Sequence, residues 1–172
     1  MERLLLMDAK NYDDTLPEIR RTAVRGIIFS QGKLLFVEDK FGALKLPGGG
    51  QEEGEDDIAT LIREVREETG CTVLPESIRP FGYIEEKRRS VRADEDMIWH
   101  QFNRLYFCEV TDERGETEFS QNEKRYGMRF SPHTLEEALA ANRKVLNTEG
   151  ELAWNQREYR TLELIREHLK KA

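Results

Sequence analysis

Three glutamates define the chemistry open to this chain. Glu64, Glu67 and Glu68 stand at i, i+3 and i+4 in a stretch of helical periodicity, so at 100° per residue they fall on one helix face. Like charges at that spacing destabilise a helix by about 0.2–0.5 kcal/mol per pair. A hard divalent cation offsets this, because Mg²⁺ takes oxygen ligands and binds through a few carboxylates together with substrate phosphates. Arg63 lies four residues before Glu67 and can hold a carboxylate bidentately. Just upstream, Pro47-Gly48-Gly49-Gly50 lets backbone approach a ligand closely. A carbonyl there could complete a metal shell, and N–H groups there could meet a phosphate oxygen.

The charge distribution agrees. The chain has 172 residues, with 27 Lys+Arg against 34 Asp+Glu and a formal net charge of −7. Residues 49–71 hold eight acids and two bases, so this window carries −6 of the −7. The remainder is nearly balanced. An acidic chain lacks the broad basic footprint that holds nucleic acid, yet a negative pole that binds metal becomes a place for phosphate. Cys71 and Cys108 each sit beside apolar residues and read as buried, reduced thiols. No apolar run approaches the roughly 20 residues of a membrane span. Leu4-Leu5-Leu6-Met7 is too short for a signal-peptide core. A cytoplasmic protein with no membrane partner is the expectation.

Several elements must position the glutamates. Residues 2–8 read as a short edge strand and 10–19 as a loop. Arg21–Phe29 and Lys33–Glu38 form a hairpin about Ser30-Gln31-Gly32. Residues 40–54 read as a glycine-rich loop. The helix over 58–69 has an apolar stripe of Ile58, Leu61, Ile62 and Val65, with Gly70 as its C-cap. Strands follow over 78–86 and 98–110, with a charged turn at 87–96 between them. A polar loop over 111–121, a short strand over 126–130 and a helix over 134–141 complete the core. The last element is a helix carrying Trp154, Tyr159, Leu162, Ile165 and Leu169 at roughly helical spacing, a stripe for core packing or for a homodimer. Antiparallel strands mixed with a few helices, without regular βαβ alternation, make this α+β.

The stretch from Gly49 to Cys71 resembles the Nudix box, G-x5-E-x7-R-E-U-x-E-E-x-G-U with U apolar. Gly49, Glu55, Arg63, Glu64, Val65, Glu67, Glu68, Gly70 and Cys71 fill its constrained positions. Cys71 is the departure, since Ile, Leu or Val is usual there. Leu46-Pro47-Gly48-Gly49 resembles the family's lead-in, and the wider likeness spans about residues 20–141. The resemblance implies a single domain over 1–172: a mixed β-sheet sandwiched between helices (α/β/α), with an added C-terminal helix at about 154–171. It also implies a hydrolase in which water attacks phosphorus in a nucleoside diphosphate linked to another group, with Mg²⁺ or Mn²⁺. Carried over by position, Glu67 and Glu68 look like metal ligands and Gly48 like a carbonyl ligand. Glu64 is a ligand or the general base, Arg63 orients the carboxylates, and Glu55 braces the loop.

The family often takes a further glutamate from a later loop, where Glu123 stands; Glu116 and Glu118 are alternatives. Arg21 and Arg25 alternate with apolar residues on the first core strand; facing the cleft they could, with Gly49, grip phosphate, and otherwise they are a surface pair. Lys87-Arg88-Arg89 with Arg92 is either a solvated turn or a flap that draws an anionic substrate. Tyr83, Trp99, Phe102 and Phe130 could stack a base, or one strand face is simply core. His100, His133 and His168 show no metal-ligand spacing. Glu86 stands where many ADP-ribose hydrolases of the family carry proline. Lys87, Arg88 and Arg89 stand where dinucleoside polyphosphate hydrolases carry tyrosine. The substrate thus stays open within the small anionic nucleotides. A non-catalytic nucleotide sensor is the second reading, and isoprenoid diphosphate isomerisation the third. The intact Glu64, Glu67 and Glu68 argue for catalysis.

Overall fold

The computed structural model describes residues 1–91 and 96–171. Its centre is a five-stranded mixed sheet in the order β1 (Arg3–Asp8), β9 (Arg79–Arg89), β10 (Ile98–Phe107), β2 (Glu18–Ile27), β7 (Gly48–Gly50). β10 runs antiparallel to β9 and parallel to β2, β1 is parallel to β9, and β7 is antiparallel to β2. Small ladders flank it: β3 (Phe29–Ser30) with β4 (Lys33–Leu34), β12 (Arg129–Phe130) with β5 (Val37–Glu38) and β6 (Leu44–Lys45), and β11 (Val110–Arg114) with β8 (Cys71–Val73). The helices are α1 (Asp57–Thr69), α2 (Gln121–Arg125), α3 (Leu135–Val145) and α4 (Asn155–Lys171).

Two apolar clusters make three layers. Period-two alternation along β2 sends Val24 to one face and Ile27 to the other. Val24 packs with Leu61 and Val65 of α1 and with Val73 of β8. Ile27 packs with Ile84, Leu105, Leu44 and Leu46, and with Leu139 of α3 and Leu162 and Ile165 of α4. The sheet therefore lies between α1 and the α3–α4 pair, as the α/β/α expectation has it. Of the anticipated α4 stripe, Leu162 and Ile165 are fully buried in the chain's own core, whereas Leu169 is exposed. Cys71 and Cys108 are buried and unbridged.

Four expectations need correction. The loop over 40–54 contains β6 and β7, and the glycine triplet is itself a strand. Glycine conceals this because it has no side chain to alternate, yet the site demands it. Gly48 has φ +142°, and a Cβ there would lie 2.1 Å from the Val24 carbonyl oxygen. The polar loop over 111–121 opens with β11, which pairs with β8. The short strand over 126–130 is reduced to Arg129–Phe130, and α2 precedes it. Ser120 starts α2 with a capping box, its hydroxyl accepting from the Glu123 N–H. Finally, β9 continues to Arg89 through the first part of the charged turn, while Arg92 lies outside the described residues.

Candidate metal centre and active-site cleft

Helix α1 is fixed at both ends and on two faces. Asp56 caps it by accepting from the Ala59 N–H at 2.8 Å, and Gly70, at φ +73°, ends it in the left-handed conformation. Asp57 ties the first turn to β10, accepting from Arg104 Nη1 at 2.8 Å and from the Tyr106 hydroxyl at 2.6 Å. Of the anticipated apolar stripe, Leu61 and Val65 are fully buried, whereas Ile58 is exposed. A second buried line runs through Thr60, Glu64 and Glu68 at i, i+4 and i+8. That line faces the glycine strand.

Glu64 and Glu68 therefore point the same way, and the structure adds Glu123 from α2. One carboxylate oxygen from each of the three lies within 4.8 Å of the others. Oxygen donors so closely grouped match the hard-cation preference of Mg²⁺ and Mn²⁺. Glu68 is almost wholly buried. Its Oε2 accepts from the Gly48 N–H at 2.7 Å. Its Oε1 has no well-aligned hydrogen bond, and the Lys45 ammonium stands 2.8 Å from it. Such an atom suits a metal. Burial pushes the Glu68 carboxyl up against the pull of Lys45, and burial likewise raises Glu64 against Arg63. Glu123 Oε2 accepts from the Ser120 N–H at 2.7 Å.

Glu67 stands outside this trio. It is offset by about 100° from Glu68 around the helix, and its side chain is 39% exposed. It stays near through Arg63, whose Nη1 donates to Glu64 at 2.8 Å and to Glu67 at 3.4 Å. The same guanidinium grips Glu55 bidentately at 2.6 and 2.9 Å and donates to the Gly50 carbonyl at 3.1 Å. Arg63 thus connects the loop to two carboxylates. Its hydrogen bonds hold the Glu55 carboxyl down at about 2. Glu55 also accepts from the Glu52 N–H at 3.0 Å, which closes the loop before α1. Glu116 is exposed and Glu118 meets Arg66 at 3.8 Å; neither belongs to the trio.

Gly49 has a direct spatial reason. A Cβ there would sit 2.4 Å from Glu64 Oε1 and 2.6 Å from Oε2, so the carboxylate occupies the space a side chain would need. Gly48 directs its carbonyl at Arg25, whose Nη1 donates to it at 2.8 Å and to the Leu46 carbonyl at 3.0 Å. A carbonyl has two lone pairs, so one remains for a metal. Arg25 is itself buried and paired, with Nε 3.3 Å from Glu158 Oε1. Its guanidinium steadies the glycine strand from beneath. Arg21 lies against Gly50 and over the Trp99 ring, 5.7 Å from its centroid.

A cleft of about 530 Å³ opens beside the trio. Arg21, Arg25, Lys45, Arg88 and Arg157 line it with Glu123, Trp99, Gln101, Tyr126 and Trp154. The sheet register aligns part of this wall, since Gln101 is paired to Arg21 on one side and to Glu86 on the other. Of the four candidates for stacking a base, Trp99 lines this cleft, whereas Tyr83 and Phe102 line a separate recess with Arg104. Phe130 packs beside the α1 cluster. Glu86 is buried against Arg157 at 2.6 Å. Burial alone would raise its carboxyl, and the two guanidinium groups of Arg157 and Arg88 bring it below its ordinary value.

Sequence reasoning passed over Lys45, Asn142, Arg157 and Glu158. Asn142 Oδ1 accepts from the Leu44 N–H at 2.7 Å and its Nδ2 donates to the Leu44 carbonyl at 2.8 Å. Glu158 Oε2 accepts from the Leu46 N–H at 3.1 Å. A signal existed, because Glu158 is four residues from both Trp154 and Leu162. A charge there falls on the stripe that must be buried.

A three-layer fold with an acidic cluster built on α1 and completed from α2, set against a glycine strand and a cationic cleft, is the architecture of a Nudix domain. The model of the NUDIX domain matches residues 19–148, and the chain belongs to that family. It is 29% identical over 100 residues to YjhB of Bacillus subtilis strain 168, whose name describes it as an ADP-ribose pyrophosphatase. That stretch is 58% of this chain and 46% of the relative, so the match spans less than half of the relative's length. Among solved structures, a NUDIX hydrolase from Nitrosomonas europaea has a TM-score of 0.54 at 22% identity, covering 83% of this chain and 90% of its own. A UDP-X diphosphatase has a TM-score of 0.55 at 16% identity, covering 89% and 64% respectively. At these identities the likeness is one of fold.

Proposed function

We propose that this chain is a metal-dependent pyrophosphohydrolase. It would cleave a nucleoside diphosphate linked to another group by attack of water on phosphorus. The observation that carries this reading is the convergence of Glu64, Glu68 and Glu123 within 4.8 Å at the edge of a cleft rich in Arg and Lys. Those carboxylates, with the Gly48 carbonyl and with Glu67 on the solvent side, would hold Mg²⁺ or Mn²⁺. When bound, the ion neutralises charge on the pyrophosphate and lowers the pKa of attacking water.

The residues divide the remaining work. Arg63 keeps Glu64 and Glu67 aimed at one place. Glu64 is buried with a raised pKa, which suits a carboxylate that takes a proton from water. Arg21 and Gly49 offer a guanidinium and a backbone N–H to phosphate oxygens, and Arg25 supports the same strand from the cleft wall. Trp99, flanked by the guanidinium groups of Arg21 and Arg88 at 5.7 and 5.6 Å from its ring centroid, offers a flat surface for a base. No helix among the described residues is long and apolar enough to cross a membrane, and a soluble nucleotide substrate met in the cytoplasm fits that.

The test is a substrate panel with Mg²⁺: ADP-ribose, UDP-sugars, nucleoside triphosphates, 8-oxo-dGTP, Ap4A, NADH and CoA. Turnover of at least one, abolished in Glu68→Gln with the fold retained, is the expected result. Binding of a panel member without turnover by the metal-loaded protein would replace catalysis by nucleotide sensing.

A further inference from the structure

We infer that Lys45 is a built-in counter-cation of the acidic centre, which holds Glu68 Oε1 in place before metal arrives and weakens metal binding in doing so. The inference rests on the metal-centre reading above. Three carboxylates with oxygens within 4.8 Å of one another repel strongly, and Glu68 is removed from water. A cation in contact with Glu68 offsets that repulsion in the metal-free protein. Arg63 serves Glu55, Glu64 and the Gly50 carbonyl. Arg25 serves the Leu46 and Gly48 carbonyls and Glu158. Among the described residues, Lys45 is the cation in ion-pair contact with Glu68, at 2.8 Å.

Its position in the strand explains why. Leu44 and Leu46 turn into the core shared with α3 and α4, so alternation sends Lys45 the opposite way. There it also lines the cleft. The same ammonium therefore stands between Glu68 and the space where substrate phosphates would lie. A divalent ion that takes up Glu68 Oε1 competes with Lys45 for that atom. The flexible four-carbon stem can then carry the ammonium toward the cleft, where phosphate is its next partner. Lys45 is in this sense a positioning residue, with an effect readable on metal alone.

The experiment titrates Mn²⁺ into the full chain by calorimetry, without substrate, for wild type, Lys45→Gln, Lys45→Arg, Glu68→Gln and the Lys45→Gln/Glu68→Gln double variant. Loss of the positive charge should tighten Mn²⁺ binding by about tenfold or more, since affinity in such sites follows the ligand charge count. Lys45→Arg should bind as wild type does. In the Glu68→Gln background, Lys45→Gln should have no further effect, a coupling that a merely structural lysine would not show. Should Lys45→Gln be unfolded without metal, its refolding on Mn²⁺ addition gives the same affinity by linkage. Unchanged or weaker binding in Lys45→Gln, equal tightening in Lys45→Arg, or failure to refold at Mn²⁺ levels that saturate wild type overturns the inference while leaving the metal centre intact. A wild-type protein that binds no Mn²⁺ overturns the metal centre itself, and the inference with it.

Discussion

Removing Glu158 should disable the glycine strand from a distance. Its carboxylate is 1% exposed and touches three partners: the Leu46 N–H at 3.1 Å, Arg25 Nε at 3.3 Å and Arg157 Nη2 at 3.7 Å. Glu158→Ala leaves two buried guanidinium groups short of an anion and one buried amide without an acceptor. Breaking one side of a buried ion pair costs about 3–5 kcal/mol, and the orphaned amide alone accounts for about 1–3 kcal/mol. Because the groups share one carboxylate, these losses overlap, and about 3–5 kcal/mol is the expected total. For a chain of this size that lowers Tm by roughly 6–20 °C. Glu158→Gln keeps an acceptor for Leu46 and loses only the charge, so it should fall between. Urea unfolding followed by circular dichroism measures all three proteins. Once Arg25 is no longer anchored, the Gly48 carbonyl loses its fixed donor, and turnover should fall at temperatures where the variant is still folded. A Glu158→Ala protein within about 1 kcal/mol of wild type would refute the reasoning, because no buried network could then depend on this carboxylate.

Gly49→Ala should leave stability nearly unchanged, since the atoms in its way are the movable end of Glu64. It should weaken Mn²⁺ binding by displacing that carboxylate, and calorimetry with a parallel melt separates the two effects. Glu67→Gln should weaken Mn²⁺ less than Glu68→Gln does, because Glu67 stands outside the trio; the reverse order in titration would contradict the geometry. The Glu55 carboxyl, held at about 2 by Arg63, lies below its ordinary range near 4.3. Its contribution to stability is therefore complete above the unfolded value and declines as pH falls toward 2. The stability gap between wild type and Glu55→Gln should accordingly be constant above about pH 5 and narrow by about pH 3. Urea unfolding at both values checks this, and a gap that does not narrow would count against the Arg63–Glu55 pairing.

Periodicity made α1 legible, with its Gly70 stop, while β-branched, apolar and aromatic composition marked β2, β9 and β10. The Glu64–Glu68 pair and the place of Glu123 were legible too, the latter only through the family resemblance. What stayed hidden had no pattern to read. Gly48–Gly50 has no side chains to alternate, so its strand is visible only once Val24 is laid against it. Ladders of two residues, such as β5 with β6, are shorter than any detectable period. Arg25 reads as a phosphate ligand when β2 is taken alone. It becomes a support only when α4 supplies Glu158, a partner 133 positions away that spacing along one strand cannot reveal. The helical face of the glutamates was resolved too coarsely, because a 100° step separates Glu67 from Glu68.

The strand that carries the site is secured by residues encoded much later. Leu44 is held by Asn142, 98 positions on, and Leu46 by Glu158, 112 positions on. At about 5–20 residues per second of synthesis, roughly 6–22 s pass between the appearance of Leu46 and that of its anchor. During that interval α1 can form locally and present its carboxylates, while the opposing glycine strand has nothing to fix it. On the proposed reading, metal affinity would come only once α4 is in place, and a ribosome-bound chain halted before Asn155 should carry the whole Nudix box without a working metal site.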